Sequence, residues 1–154
     1  VGGITLSRIS KESDLQFEVG NFSACCQHMT GAGASVIPFI MTHDHVDVYS
    51  FSKNGERCGS MVLYYLDNLG IYTIDSVERR KMLEDGEIHQ VLMELAKTIP
   101  LYSSAAISEE FNLPLDNKYQ ASFTDVKEST VAKQVSKLDT YTDYGLGKLF
   151  KIVS

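Results

Sequence analysis

The sequence lacks several features that would place it in a common class. It has no tryptophan, three prolines and three cysteines. Because Cys25 and Cys26 are adjacent and Cys58 stands alone, we expect reduced thiols, as in cytosolic proteins, and no disulfide framework. The longest apolar run, residues 36–41, is far shorter than the roughly 20 residues of a membrane-spanning helix. The chain also has no P-loop, no dinucleotide-binding glycine fingerprint and no Gly-x-Ser-x-Gly elbow.

Positive charge is scarce as well. The chain has 14 Lys and Arg residues against 20 Asp and Glu residues, a formal net charge of −6. This excess of acidic residues argues against non-specific binding of nucleic acid and against binding to anionic membranes. The composition, 44% hydrophobic and 22% charged, is typical of globular proteins, and 154 residues fit a single domain over residues 1–154.

The first half of the chain is rich in strand signals. Residues 4–9 alternate with period two and predict a strand, and a helix is expected to follow from Ser10 or Ser13. The dipeptide Asn54-Gly55 is a strong hairpin signal, and residues 67–70 predict a second turn. The strands predicted around these turns cover residues 46–53, 57–66 and 71–74.

The second half mixes helical and extended patterns. Apolar residues from Ile88 to Ile99 form one helical face, and Pro100 ends that helix. The other predicted elements are a short helix beginning at Ser108, a strand over 119–124, a helix over 129–138 and a strand over 146–153. Antiparallel strands followed by β-α-β units predict an α+β fold, with a mixed, mostly antiparallel sheet and helices on both faces.

This order of elements resembles the GNAT-type N-acetyltransferase fold. Residues 4–14 look like the family's first strand and the start of its first helix, and the meander over 46–74 looks like its central hairpin. Residues 129–136 are similar to its Asn-x-x-Ala-x-x-Leu-Tyr helix. The resemblance covers nearly the whole chain and looks nearest to the diverged acetyltransferase-like proteins of tailed phages. It therefore implies a protein of the cytoplasm or of the virion.

The resemblance implies that an acyl-CoA, with acetyl-CoA as the expected cofactor, binds between two parallel strands that diverge. In the family, amides of a Gln/Arg-x-x-Gly-x-Gly/Ala loop at a helix N-terminus hold the pyrophosphate. The matching segment, residues 83–88, keeps Gly86 but contains three acidic residues that would repel a phosphate. The residues implied to bind the cofactor are Ser76, Val77, Arg79, Arg80 and Gly86. Alternatively, the basic run 79–81 is the solvated start of a helix.

The resemblance also implies that an amine attacks the thioester directly, with backbone amides near residues 75–77 stabilising the oxyanion. Ser136 stands where the family has its general acid, often a tyrosine, and Glu56 and Asp75 are candidate general bases. His89 could also serve as a base, but we expect a helix-surface histidine. An alternative function remains open: a GNAT-like domain without catalysis that binds a protein partner or serves as a structural part of a virion or as a host-directed inhibitor.

One group of histidine and aspartate residues suggests zinc binding as a different chemistry. The segment His43–Asp47 is similar to the start of the zinc site in metallo-β-lactamase-type hydrolases, but Val48 stands where that motif ends in histidine. We expect a polar loop that leads into a strand. A zinc site made by Cys25, Cys26, His28 and Cys58 is disfavoured, because adjacent cysteines fit tetrahedral ligation poorly.

Overall fold

The described residues, 3–9, 44–135 and 147–153, form one mixed sheet with flanking helices in this computed structural model. Its strands are β1 (Ile4–Ile9), β2 (Val46–Lys53), β3 (Glu56–Leu66), β4 (Ile71–Arg79), β5 (Leu101–Ser103), β6 (Leu115–Ala121) and β7 (Leu149–Ile152). Its helices are α1 (Asp85–Ala96), α2 (Ala105–Phe111), α3 (Phe123–Lys127) and α4 (Thr130–Val135). The strands lie in the order β1-β2-β3-β4-β5-β7-β6, and among these strands only β4 and β5 pair in parallel. The predicted mixed, mostly antiparallel α+β sheet is confirmed.

The β2–β3 hairpin forms as its turn residues predict. Asn54 and Gly55 have φ values of 54° and 81°, the left-handed conformation that a two-residue type I′ turn requires at both positions. Lys53 pairs with Glu56 across this turn. The second predicted turn connects β3 to β4, and Gly70 supplies its positive φ of 66°.

Strand β4 is longer than the sequence predicts. The predicted strand stops at Ile74, because the polar residues that follow break the apolar alternation. The strand nevertheless runs to Arg79, since β3 pairs with it along its whole length. The register shifts between Val62 and Leu63, which leaves Asp75 as an extra residue of β4 in a β-bulge.

Two apolar clusters cover the two faces of the sheet. Successive side chains of a strand point to opposite faces, and in β3 Met61 and Leu63 belong to one cluster while Val62 and Tyr64 belong to the other. The first cluster includes residues of α1 and α2, and the second includes residues of α3 and α4. Helices therefore pack on both faces, as predicted.

The C-terminal elements differ from their predicted bounds. The helix predicted to begin at Ser108 begins at Ala105, and the strand predicted over 119–124 ends at Ala121. In both places a serine accepts an N–H of the first helical turn, Ser104 at 3.3 Å and Ser122 at 3.1 Å. Short hydroxyl side chains are good N-caps, so these serines decide where α2 and α3 begin.

Several predicted features lie outside the described residues. These are the helix expected after Ser10 or Ser13, the last part of the helix predicted over 129–138, and the beginning of the segment 146–153. Within the described ranges, none of the helices has the length and apolar character needed to cross a membrane.

The turn between β3 and β4 also anchors α4. The carboxylate of Asp67 accepts the Thr130 N–H at 2.9 Å and the Thr130 hydroxyl at 2.6 Å. These two hydrogen bonds hold the pKa of Asp67 below its usual range. An anionic side chain at a helix N-terminus is favourable, so Asp67 fixes α4 to the meander.

Candidate functional site

Strands β4 and β5 pair in parallel over only two residues. Tyr72 pairs with Leu101 and Thr73 pairs with Tyr102, after which the chain leaves β5 and enters α2. Strand β4 continues to Arg79, and no described strand pairs with it on this side beyond Thr73. An unpaired strand edge presents backbone N–H and C=O groups that can bind an extended ligand.

The β-bulge of β4 lies beyond the two residues that pair with β5. Asp75 is fully buried there, and the predicted cofactor-binding residues Ser76 and Val77 follow it along the strand. A bulge interrupts the hydrogen-bond ladder and re-aims backbone groups. Residues 75–77, for which the resemblance implies an oxyanion-stabilising role, therefore lie at the bulge, beyond the part of β4 that pairs with β5.

The loop between β4 and α1 is held against β3. The N–H of Arg80 donates to the carbonyl of Cys58 at 2.8 Å, and the N–H of Leu83 donates to the carbonyl of Arg80 at 3.1 Å. The buried Leu83 side chain packs over Gly59, where an added Cβ would lie 3.0 Å from Leu83 Cδ2. Leu83 therefore packs against β3 at Gly59.

Helix α1 begins at the end of this loop. The first N–H groups of an α-helix have no intrahelical acceptor. Glu84 is the N-cap, and its N–H donates to Glu87 Oε1 at 3.0 Å. The next two amides, of Asp85 and Gly86, are placed to bind an anion. A Cβ built on Gly86 would meet no atom within 4 Å, so a ligand can approach this backbone closely.

Two of the three acidic residues around Gly86 are paired with basic side chains. Arg79 forms an ion pair with Asp85, and Lys53 forms one with Glu87 at 3.0 Å. Lys53 also donates to a carbonyl of the loop at 2.9 Å. These pairs reduce the repulsion of phosphate that the sequence suggests. Sequence reasoning missed Lys53, because it lies on β2, 34 positions before Glu87.

A basic cavity of about 370 Å³ lies where β4, the loop and α1 meet. Its lining residues are Arg79, Arg80, Lys81, Leu83, Glu84 and Asp85. Arg80 and Lys81 are exposed there, so they add positive charge beside the N-terminus of α1. The predicted residues Arg79 and Arg80 therefore line the same cavity as Asp85, the residue that precedes Gly86.

The predicted catalytic residues do not all come together. Glu56 is exposed beside the hairpin turn, and Leu63, next to the bulge, is seven residues further along β3, which corresponds to roughly 20 Å. The carboxylates of Glu56 and Asp75 therefore do not meet. Ser136 lies outside the described residues. His89 lies on α1, with its Nδ1 2.9 Å from the carbonyl oxygen of Phe111.

The described residues hold no group of three potential metal ligands. His45 immediately precedes β2, as the predicted loop into a strand requires. Cys58 is a buried core residue, and burial, followed by the charge of Glu87, raises the pKa of its thiol. The other residues considered as zinc ligands, His43, Cys25, Cys26 and His28, lie outside the described ranges.

The Lys53–Glu87 pair yields a prediction about pH. The N–H of Glu84 and then Lys53 hold the pKa of Glu87 below its usual range. A depressed carboxyl pKa contributes stability above the unfolded-state pKa, and that stability is lost as the pH falls through the folded-state pKa. Substituting Lys53→Met should move the titration of Glu87 to higher pH, as followed by carboxyl NMR. The carboxyl pKa should still lie below its ordinary value, because the Glu84 N–H remains.

The matched control for this titration is Lys97→Met. Lys97 forms an exposed ion pair with Glu94 of α1 at 3.0 Å. Lys97→Met therefore removes one lysine charge, as Lys53→Met does, but leaves both partners of Glu87 in place. An identical Glu87 titration in wild type and Lys53→Met would show that the pair seen here has no effect on Glu87.

Solved structures with this architecture identify the fold. Tetrahymena GCN5 superposes with a TM-score of 0.57 at 12% identity, with 97% of this chain and 96% of that chain covered. The chain has the GNAT-type N-acetyltransferase fold. The GNAT fold is also found in the aminoglycoside 6′-acetyltransferase type Ii, with a TM-score of 0.52 at 8% identity over 79% of this chain and 88% of that one.

A further structure with the GNAT fold contains a ligand. It is the N-acetyl transferase-type protein YhhK from E. coli, solved by NMR bound to coenzyme A, with a TM-score of 0.51 at 13% identity and with 97% and 98% of the two chains covered. At such identities these likenesses establish the fold alone. No family model and no curated protein sequence matches the chain.

Proposed function

We propose that the protein is an acyl-CoA-dependent N-acyltransferase of GNAT type, which transfers an acetyl group from acetyl-CoA to an amine. The observation that carries the proposal is Gly86. Glycine in the interior of a helix is less favourable than alanine by roughly 0.5–1 kcal/mol, and Gly86, the second residue of α1, has no capping role that would favour glycine. Gly86 has no positive φ, and a Cβ there would meet no atom within 4 Å, so the fold does not require glycine at this position. Close approach of a ligand to the helix amides explains it.

The proposed ligand path follows from the charges and the unpaired backbone. The N–H groups of Asp85 and Gly86 would bind the diphosphate, with Arg80 and Lys81 adding charge attraction. The pantetheine arm would then run along β4 on the side of β5, past the bulge at Asp75. Acetyl-CoA would supply an activated acyl group as a thioester. Backbone amides of the bulge would hold its carbonyl oxygen.

The roles of the predicted catalytic residues remain predictions. Asp75 and Glu56 stay candidate general bases. Asp75 is fully buried at the bulge, and Glu56 is exposed at the hairpin end of β3. Ser136 stays the candidate for the position of the general acid, and a single domain over residues 1–154 stays the predicted organisation. The identity of the amine acceptor belongs to the same proposal and is to be found by screening.

The second candidate function is a GNAT-like domain without catalysis that binds a protein partner. Its support was the acidic character of residues 84–87, which would repel a diphosphate. The ion pairs of Asp85 with Arg79 and of Glu87 with Lys53 weaken that support, because they compensate two of the three negative charges.

The two functions are separated by titrating the protein with acetyl-CoA in a thermal-shift experiment and by calorimetry. A ligand that binds only the native state adds about 2.7 kcal/mol of stability at a hundredfold excess over Kd. For a chain of this size, we therefore expect a rise in Tm of roughly 5–10 °C. Pantetheine, which lacks the diphosphate, should shift Tm far less.

Saturable binding would be followed by a screen of amines for acetyl-CoA-dependent release of free thiol. Turnover with any amine supports the acyltransferase. Absence of a shift at millimolar acetyl-CoA, with the protein folded by circular dichroism, would reject the acyltransferase and favour the partner-binding domain.

A further inference from the structure

Arg79, the last residue of β4, contacts three other parts of the fold through its guanidinium group. One amino group donates to the carbonyl oxygen of Leu83 in the loop at 3.2 Å. The other forms the ion pair with Asp85 in the first turn of α1. The guanidinium carbon also lies 5.7 Å from the centroid of the Phe111 ring, at the end of α2. A single side chain thus joins the strand, the loop and both helices next to Gly86.

The two helices also meet directly at Phe111. Its side chain is buried in the core, and its carbonyl oxygen lies 2.9 Å from His89 Nδ1 on α1. A carbonyl oxygen only accepts hydrogen bonds, so Nδ1 carries the hydrogen. Asn112, with a left-handed φ of 53°, ends α2 immediately afterwards. Phe111 is therefore held by its backbone and by its buried ring, and it gives the guanidinium of Arg79 a fixed surface to pack against.

This set of contacts suits arginine and no other basic residue. The guanidinium is planar and carries five N–H donors in a rigid fork, so it can pack on a ring, donate to a carbonyl and pair with a carboxylate at once. A lysine ammonium is a compact charge on a flexible chain and can replace the ion pair alone. Asp85 compensates the charge of Arg79, and only 28% of the Arg79 side chain is exposed. Its charge and its hydrogen bond are thus directed to the protein itself.

Lys53 makes a matching set of contacts from β2. Its Nζ donates to the carbonyl oxygen of Met82 at 2.9 Å and pairs with Glu87 Oε1 at 3.0 Å. Lys53 and Arg79 each join one carbonyl of the loop to one carboxylate in the first turn of α1. The loop and the first turn are therefore ordered before a ligand arrives. A ligand loses less free energy to ordering when its site is already ordered, so it binds more tightly.

We infer that Arg79 is a positioning residue for the acyl donor. It fixes the amides of Asp85 and Gly86 in the orientation that binds a diphosphate, through its contacts with the loop and with both helices. It does not bind the diphosphate itself, which distinguishes this role from the cofactor-binding role that the resemblance implies. The inference rests on the proposed acyl-CoA function, and it leaves the charge attraction to Arg80 and Lys81.

The first test measures the Kd of coenzyme A by calorimetry for Arg79→Lys and Arg79→Met. Neither variant can make all the contacts of the guanidinium, so the ordering of the loop becomes part of the binding step. Both should bind about three- to tenfold more weakly than the wild type. Arg80, which is exposed in the same cavity, provides the contrast. Arg80→Lys keeps the charge and should retain most of the affinity that Arg80→Met loses.

The second test uses the protein without ligand. The backbone ¹⁵N order parameter of Gly86 reports how firmly its amide is held, with about 0.85 expected for rigid backbone and less than about 0.6 for flexible backbone. Arg79→Lys should lower this order parameter, whereas Arg80→Lys should not. Gly70, in the turn at the other end of β4, is the internal reference, and its order parameter should be the same in all variants.

Weaker binding by both Arg79 variants, together with a lower order parameter at Gly86, supports the positioning role. Retained affinity in Arg79→Lys, or a lower Tm of both variants with an unchanged Kd, would overturn it and leave the acyltransferase standing. Weaker binding with an unchanged order parameter would also overturn it, because the guanidinium would then contact the diphosphate directly. Failure of the folded wild type to bind coenzyme A would overturn the proposed function and the inference with it.

Discussion

Gly86→Ala should make the protein more stable and weaken its binding of acetyl-CoA. The position is helical, its φ is not positive, and the new Cβ would meet no atom within 4 Å, so alanine fits without strain. Replacing glycine by alanine at such a position stabilises a protein by about 0.4–1 kcal/mol. The same methyl group would keep a diphosphate away from the amides of Asp85 and Gly86. We therefore expect at least a tenfold higher Kd, or about 1.4 kcal/mol.

Both effects are measured on one sample, by thermal unfolding with and without acetyl-CoA and by calorimetric titration. Gly86→Glu should abolish the ligand-induced rise in Tm, because it adds bulk and negative charge at the diphosphate. Gly147→Glu is the matched control, since Gly147 also has open space around it and does not line the basic cavity. Equal loss of binding in the two glutamate variants, or unchanged binding in Gly86→Ala, would remove Gly86 from the site.

Gly59→Ala should have the opposite effect on stability. A Cβ at Gly59 would lie 2.9 Å from the carbonyl oxygen of Glu78 and 3.0 Å from Leu83 Cδ2. The carbonyl belongs to the backbone of β4, so β3 and β4 must move apart to remove the clash with the added Cβ. Overpacking of this kind costs about 1–3 kcal/mol of stability. For a chain of this length, we expect Tm to fall by roughly 3–10 °C.

The substitution should also disturb the ligand site. Leu83 packs over Gly59 and holds the loop that leads into α1, so its displacement should weaken acetyl-CoA binding in the fraction that stays folded. The control is Gly147→Ala, for which a change within about 0.5 kcal/mol is expected. A Gly59→Ala protein as stable as wild type would show that β3 and β4 adapt more easily than their pairing implies.

Local signals in the sequence suffice for the meander and for most helices. Asn54-Gly55 can form a tight turn whatever surrounds it, and the apolar face of residues 88–99 has to be buried somewhere. Resemblance in element order pointed to the GNAT fold and to Gly86, and the architecture is confirmed. The second half of β4 was missed, because its polar residues carry no strand pattern of their own.

The charged pairs of the site are formed by contacts between separate parts of the chain. Lys53 on β2 compensates Glu87 on α1, and Arg79 compensates Asp85, so an acidic segment becomes compatible with a diphosphate. The requirement for glycine at position 59 arises from Leu83 and from a carbonyl of the neighbouring strand. None of these partners is adjacent in sequence, and no local sequence pattern predicts the contacts between them.

The sequence by itself determined the class of fold and the turns, because these depend on hydrophobic periodicity and on local backbone conformation. Only the tertiary structure decided that β4 continues past its bulge, that Glu56 and Asp75 stay apart, and that Lys53 and Arg79 pair with the acidic residues around Gly86. Those features depend on which strands pair and which helix ends meet. Long-range packing sets these contacts, and residues near in sequence do not specify them.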